Sequence, residues 1–148
     1  MSPITNHQVT GTITKSFKLS YALYLPPGYE AGGEKRWPLL FFLHGAGERG
    51  ENLDLVAVHG PLKYVQEGKD FPFIIVAPQC RENETWDRNL DELDRLFEEI
   101  VNSYQVDTER IYLTGLSMGG YGTWHWGVHQ PQAFAALVPI CGGAMWLT

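Results

Sequence analysis

The sequence predicts a single α/β domain on a mainly parallel sheet, and three observations carry that expectation. Leu39–Leu43 and Phe71–Ala77 are continuously apolar, as strands covered on both faces must be. Helix-length segments then alternate with strands, the pattern that builds a parallel sheet with helices packed on it. The first 25 residues instead alternate at period two, the mark of paired strands with one buried face. At 148 residues, 44% hydrophobic and 19% charged, the chain has the size and composition of one globular domain, taken here as residues 1–148.

The elements follow in order. Val9, Gly11 and Ile13, then Phe17, Leu19, Tyr21, Leu23 and Leu25, alternate on either side of Lys15-Ser16, which predicts an N-terminal antiparallel hairpin. Pro26-Pro27-Gly28-Tyr29 ends it, and a polar loop leads to the Leu39–Leu43 strand. Asn52 to Gln66 reads as helix, with Gly60-Pro61 forcing a break or a second short helix. After the Phe71–Ala77 strand, Leu90, Leu93, Phe97, Ile100, Val101 and Tyr104 recur at helical spacing, with Asp91 and Glu92 near the positive N-terminal end. Ile111-Tyr112-Leu113 is a buried strand, Met118–Gln130 a helix stopped by Pro131, and Phe134–Ile140 a last strand. In such sheets ligands bind at the carboxyl ends of the strands, where Gly45–Gly50, Gln79–Trp86, Ser117 and Gly142-Gly143 fall.

The sharpest chemical signal is Gly115-x-Ser117-x-Gly119 at a strand-to-helix junction, a pattern that holds a serine in a strained turn with its hydroxyl above the sheet. Gly115, Gly119, Gly120 and Gly122 make a slim face that lets the helix approach the strand. His44-Gly45-Ala46-Gly47-Glu48-Arg49-Gly50 directly follows the Leu39–Leu43 strand. Acyl transfer needs backbone N–H groups aimed at the oxygen that becomes negative. The N–H of Met118, next to the serine, and that of Ala46 are the expected pair. His44 is placed at the strand end, packing and hydrogen-bonding to hold the loop, and Glu48 and Arg49 are read as an ion pair on the rim, with simple solvation as the alternative. His44, Glu48, Gln79 and Trp86 are the candidate substrate-pocket residues, with Trp124 and Tyr121 as further aromatic surface for an acyl or aryl group.

A net charge of -6 and no basic stripe argue against a nucleic-acid surface. No run approaches the roughly 20 apolar residues of a membrane span. The N-terminus lacks the basic and apolar regions of a signal peptide, leaving the cytoplasm as the default compartment with secretion left open. No metal is expected: His125 and His129 stand at i and i+4 but without the glutamate of H-E-x-x-H. No cofactor is expected either, since Gly45-Ala46-Gly47 lacks the following x-x-G of a dinucleotide loop.

These segments resemble the α/β-hydrolase superfamily, and within it the small esterases grouped with dienelactone hydrolases, feruloyl and acetylxylan esterases and poly(hydroxyalkanoate) depolymerases. The resemblance rests on Tyr24–Tyr29, His44–Gly50, Ala77-Pro78-Gln79-Cys80 with Trp86, and Val106–Tyr112 running into the Ser117 turn. It implies an α/β-hydrolase fold in which the Phe71–Ala77 strand lies outside Leu39–Leu43, with the Ser117 strand and then the last strand on the other side. Two strands, about 14 Å at ~4.8 Å each, would then separate Cys80 from Cys141, beyond the ~7 Å a disulfide allows, so both are read as buried free thiols.

The same resemblance implies a serine carboxylic-ester hydrolase for short-chain acyl or aryl esters, a small-molecule substrate, with Ser117 as nucleophile. In such enzymes the triad acid and base follow on loops after two further strands, and the chain ends at Thr148. The expectation is therefore a C-terminally short domain with those strands missing. Either the chain is part of a longer esterase, or a histidine already present is recruited, or a second chain completes the site. A catalytically impaired binding protein is the alternative function. His7 and His59 lie early in the chain. His125 and His129, eight and twelve residues past Ser117, lie about 12 and 18 Å along the helix axis and are assigned surface or core roles. The last strand should be an exposed edge, apolar on both faces, that pairs with a second copy.

Overall fold

The computed structural model describes residues 5–144. Eight main elements follow one another: β1 (Tyr21–Tyr24), β2 (Trp37–Leu43), α1 (Pro61–Gln66), β3 (Ile74–Pro78), α2 (Leu90–Ser103), β4 (Val106–Leu116), α3 (Met118–His129) and β5 (Ala136–Ile140). Short 3-10 turns lie at Ala46–Glu48, Leu53–Ala57 and Trp86–Asn89. The strands form one sheet in the order β1-β3-β2-β4-β5, with β3, β2, β4 and β5 parallel and β1 antiparallel on β3. This is the α/β-hydrolase arrangement that the resemblance implied, and Gly60-Pro61 does divide the Leu53–Ala57 turn from α1.

The expected N-terminal hairpin is absent among the described residues. Its second arm survives as β1, whose register runs from Tyr21 opposite Pro78 to Tyr24 opposite Ile75. Its first arm is not a strand, and Val9 and Ile13 are 95% and 96% exposed. Period two says which side chains share a face, not that a neighbouring strand exists to pair with; here β3 supplies the partner.

Alternation along the central strands sorts the core into two layers. Leu39, Phe41, Leu43, Ile74 and Val76 point to the side of Leu93, Ile100 and Trp126, from α2 and α3. Phe42, Ile75 and Ala77 point to the other side, onto Val56, Ala57 and Leu62. Aromatic edge-to-face packing fills the first layer, with Phe41 and Trp126 5.1 Å apart and Trp126 and Phe134 5.0 Å apart. Glu92, fully buried on the inner face of α2, is held ionised by Lys15 at 2.8 Å and Arg81 at 3.0 Å. Those partners offset the cost of burying its charge.

β5 forms one edge of the described sheet, and only one of its faces is open. α3 covers the other: a Cβ at Gly127 would lie 2.3 Å from a Leu137 methyl. On the open face Val138 and Ile140 are 55% and 44% exposed. Cys80 is buried but Cys141 is exposed, which corrects the reading of two buried thiols. Cys141 sits just past the end of β5 at φ 53°, outside the sheet that would have covered it. Burial pushes the Cys80 thiol up to about 12, which keeps it protonated and inert.

Candidate active site

Ser117 occupies the one-residue junction between β4 and α3 at φ 55°, ψ -114°. A positive φ in a non-glycine residue costs about 1–3 kcal/mol and persists only where the surroundings over-determine it. They do here. The Ser117 N–H donates to the Ile140 carbonyl at 2.8 Å, and its own carbonyl accepts from the Tyr121 N–H at 3.1 Å. Behind it the helix is pressed onto the sheet, so that a Cβ on Gly119 would lie 1.8 Å from the Leu43 carbonyl oxygen. With its backbone fixed on both sides, the serine makes no capping bond with its side chain, and it opens into a cleft of about 710 Å³.

The His44–Gly50 loop lies against this turn. A Cβ on Gly45 would be 3.8 Å from Ser117 Cβ and 3.4 Å from the Leu116 carbonyl oxygen. Ala46 and Met118 each begin a helical turn, where backbone N–H groups have no acceptor within the helix. Gln79, 3% exposed, ties the loop down by donating from Nε2 to the Glu48 carbonyl at 3.0 Å and the Asn52 carbonyl at 2.7 Å.

His44 is 1% exposed and both its ring nitrogens are engaged. Nε2 accepts the Cys80 N–H at 2.9 Å, so the proton sits on Nδ1, which donates to the Gly45 carbonyl at 2.6 Å. Burial lowers its pKa below the ordinary 6.5, partly opposed by that hydrogen bond and by Glu48. Trp86 stacks edge-on against the imidazole at 5.0 Å and donates from Nε1 to the His44 carbonyl at 3.0 Å. The loop and the wall of the cleft are thereby joined.

Of the residues singled out from sequence, Ser117, Met118, Trp86 and Tyr121 line the cleft together, and Ala46 and Trp124 are not among its lining residues. His44, Gln79 and Glu48 do not; they stand behind it as supports. The Glu48 carboxylate lies 4.0 Å from His44 Nδ1 and 3.8 Å from His59 Nε2. The expected Glu48–Arg49 ion pair is not formed. Arg49 donates instead to the carbonyls of Ala46 at 2.9 Å and Glu84 at 3.1 Å. Tyr121 and His125 share the cleft with Ser117, and so do Thr85 and Asp87. Axial distance alone separates His125 from the serine, but positions 117, 121 and 125 repeat every four residues and so share a side of the helix. Among the described residues, no cluster of three or more His, Cys, Asp or Glu side chains could hold a metal ion, and no helix is long and apolar enough to cross a membrane.

The fold is of the α/β-hydrolase type, and the proteins the chain is similar to are esterases. No family model matches it. It is 30% identical over 110 residues to a bifunctional acetylxylan esterase/xylanase of Neocallimastix patriciarum, an alignment covering 71% of this chain and 16% of that protein. Among solved structures, a thermostable esterase superposes with a TM-score of 0.70 at 34% identity, over 85% of this chain and 38% of the other. The feruloyl esterase module from Clostridium thermocellum, a mutant complexed with sinapinate, gives a TM-score of 0.62 at 21% identity, over 80% and 47%, a likeness of fold. The chain thus spans less than half the length of each.

Proposed function

We propose that the chain carries the nucleophile and oxyanion half of a serine carboxylic-ester hydrolase acting on short-chain acyl or aryl esters. Ser117 Oγ attacks the carbonyl carbon, its proton passing to a base. The N–H groups of Ala46 and Met118 hold the oxygen that becomes negative. The alcohol leaves, and water releases the acyl group. One observation carries this reading: a non-glycine residue held at positive φ in the lining of a cleft, with an uncapped hydroxyl and a glycine loop against it. A cleft of about 710 Å³ suits a small ligand. Similarity to an acetylxylan esterase/xylanase and to a thermostable esterase supports carboxylic esters as the substrate class. Release of p-nitrophenol from p-nitrophenyl acetate by the chain and by Ser117→Ala is the test. A rate lost in the variant upholds the proposal; equal rates remove catalysis through this serine.

A second reading is favoured by the state of the histidines. His44 has both nitrogens engaged, and His125 stands about 12 Å along α3 from the serine, so neither is placed to take its proton. Losing a triad base can cost about 10⁶ in kcat. On this reading the chain binds an ester or acid without turning it over, or another polypeptide completes the site. Calorimetric binding of a phenyl ester without turnover supports it, and rapid turnover by the isolated chain contradicts it.

A further inference from the structure

The far end of the cleft is chemically unlike the serine end. The Trp86–Asn89 turn crosses α3 at Gly122, where a Cβ would lie 2.6 Å from Trp86 Cβ. Gly122 is five residues beyond Ser117 and His125 eight, which at ~1.5 Å per residue puts them about 8 and 12 Å down the helix axis. Thr85 and Asp87 flank Trp86 and line the same cleft, so a hydroxyl, a carboxylate and an imidazole stand around its distal part. Trp86, Met118 and Tyr121 line the cleft with them and the serine.

Among the described residues, none of these three polar side chains has a protein partner. Thr85 caps its 3-10 turn without a side-chain bond. The contrast with the next turn of α3 is direct: His129 is held by Asp94 at 2.9 Å, whereas His125 faces open cleft. A carboxylate only accepts, a neutral imidazole offers one donor and one acceptor, and a threonine hydroxyl does both. A ligand hydroxyl matches this set, donating to Asp87 while accepting from His125. An anionic ligand would meet Asp87 and a chain of net charge -6. A plain alkyl chain would strip water from three polar groups and pair none of them.

We infer that Thr85, Asp87 and His125 form a specificity subsite for a hydroxyl carried about 8–12 Å from the scissile carbonyl, on either the acyl or the alcohol side of the ester. This rests on the esterase reading of Ser117. The test is equilibrium binding to Ser117→Ala, which cannot consume its ligand, by titration calorimetry with two matched pairs of esters. One pair is methyl para-hydroxyphenylbutanoate and methyl phenylbutanoate. The other is para-(hydroxymethyl)benzyl acetate and para-methylbenzyl acetate.

The hydroxylated member of at least one pair binds about tenfold tighter, the scale of one net hydrogen bond, and the pair that discriminates identifies the side of the ester. Adding Asp87→Ala and His125→Leu brings the ratio to within about twofold. His125→Gln, which keeps a donor and an acceptor, retains most of the preference. Equal affinities in both pairs, no binding of any of the four esters, or a preference that survives the double substitution overturns the subsite. Fluorophosphonate labelling of the wild-type chain separates the two claims. An adduct with equal affinities removes the subsite alone, and a tenfold preference without an adduct removes the nucleophile alone.

Discussion

His44 and His125 lie on opposite sides of Ser117 and live in opposite conditions. His44 is 1% exposed, with an acceptor for its N–H and a donor for its bare nitrogen. His125 is half-exposed on the cleft wall, and among the described residues its ring bonds to no side chain or backbone group. The same division runs through their surroundings. Behind the serine, Gln79 and Arg49 spend their donors on loop carbonyls. In front of it, Thr85 and Asp87 are left unspent. A polar group whose bonds are all internal holds shape; one left without partners in a concave site is available to a ligand. Residue type alone does not separate the two roles.

The largest expected effect falls behind the serine. Gly119→Ala sets a Cβ 1.8 Å from the Leu43 carbonyl oxygen, and backbone cannot swing aside as a side chain would. The variant should lose about 4 kcal/mol or more in urea denaturation, or fail to fold. His44→Ala removes a buried ring and strands the Cys80 N–H, and should cost about 3 kcal/mol. His125→Ala should shift stability by no more than about 0.5 kcal/mol, and equal losses at the two histidines would break the comparison. Ala46→Pro tests the loop without unfolding it. The position is the first of a 3-10 turn, and Gly45 at ψ -178° already has the extended backbone that precedes proline. Removing that N–H should slow serine labelling about a hundredfold with stability unchanged.

A graded effect is that of pH. His44 titrates near 6.5 when unfolded and lower in the fold, because burial penalises its charged form. Between those values the unfolded chain holds more protons. Its contribution to stability is therefore full above about 6.5 and falls with pH below it, by up to ~1.4 kcal/mol per unit. In His44→Gln that part of the slope should vanish, as read from denaturation midpoints across the range.

What the sequence makes legible tracks where burial is complete. Leu39–Leu43 and Phe71–Ala77 declare doubly covered strands because both faces must be apolar, and β2 and β3 lie where those runs predict, the second beginning three residues late at Ile74. The resemblance to known esterases supplied the strand order, which periodicity cannot. Val9–Ile13 misled because alternation describes a strand's faces and is silent about its neighbour. Cys141 misled because it follows an edge strand, whereas Cys80 follows a strand covered on both faces. The distal cleft was illegible for another reason. Thr85, Asp87 and His125 come from two segments, and only the close crossing at Gly122, allowed by its missing side chain, brings them together.

The central claim is a reactive hydroxyl at position 117, and intact-mass measurement after fluorophosphonate treatment addresses it most directly. The account predicts one adduct on the folded wild-type chain and none on Ser117→Ala. An unmodified wild-type chain, or the same adduct on both, would contradict it.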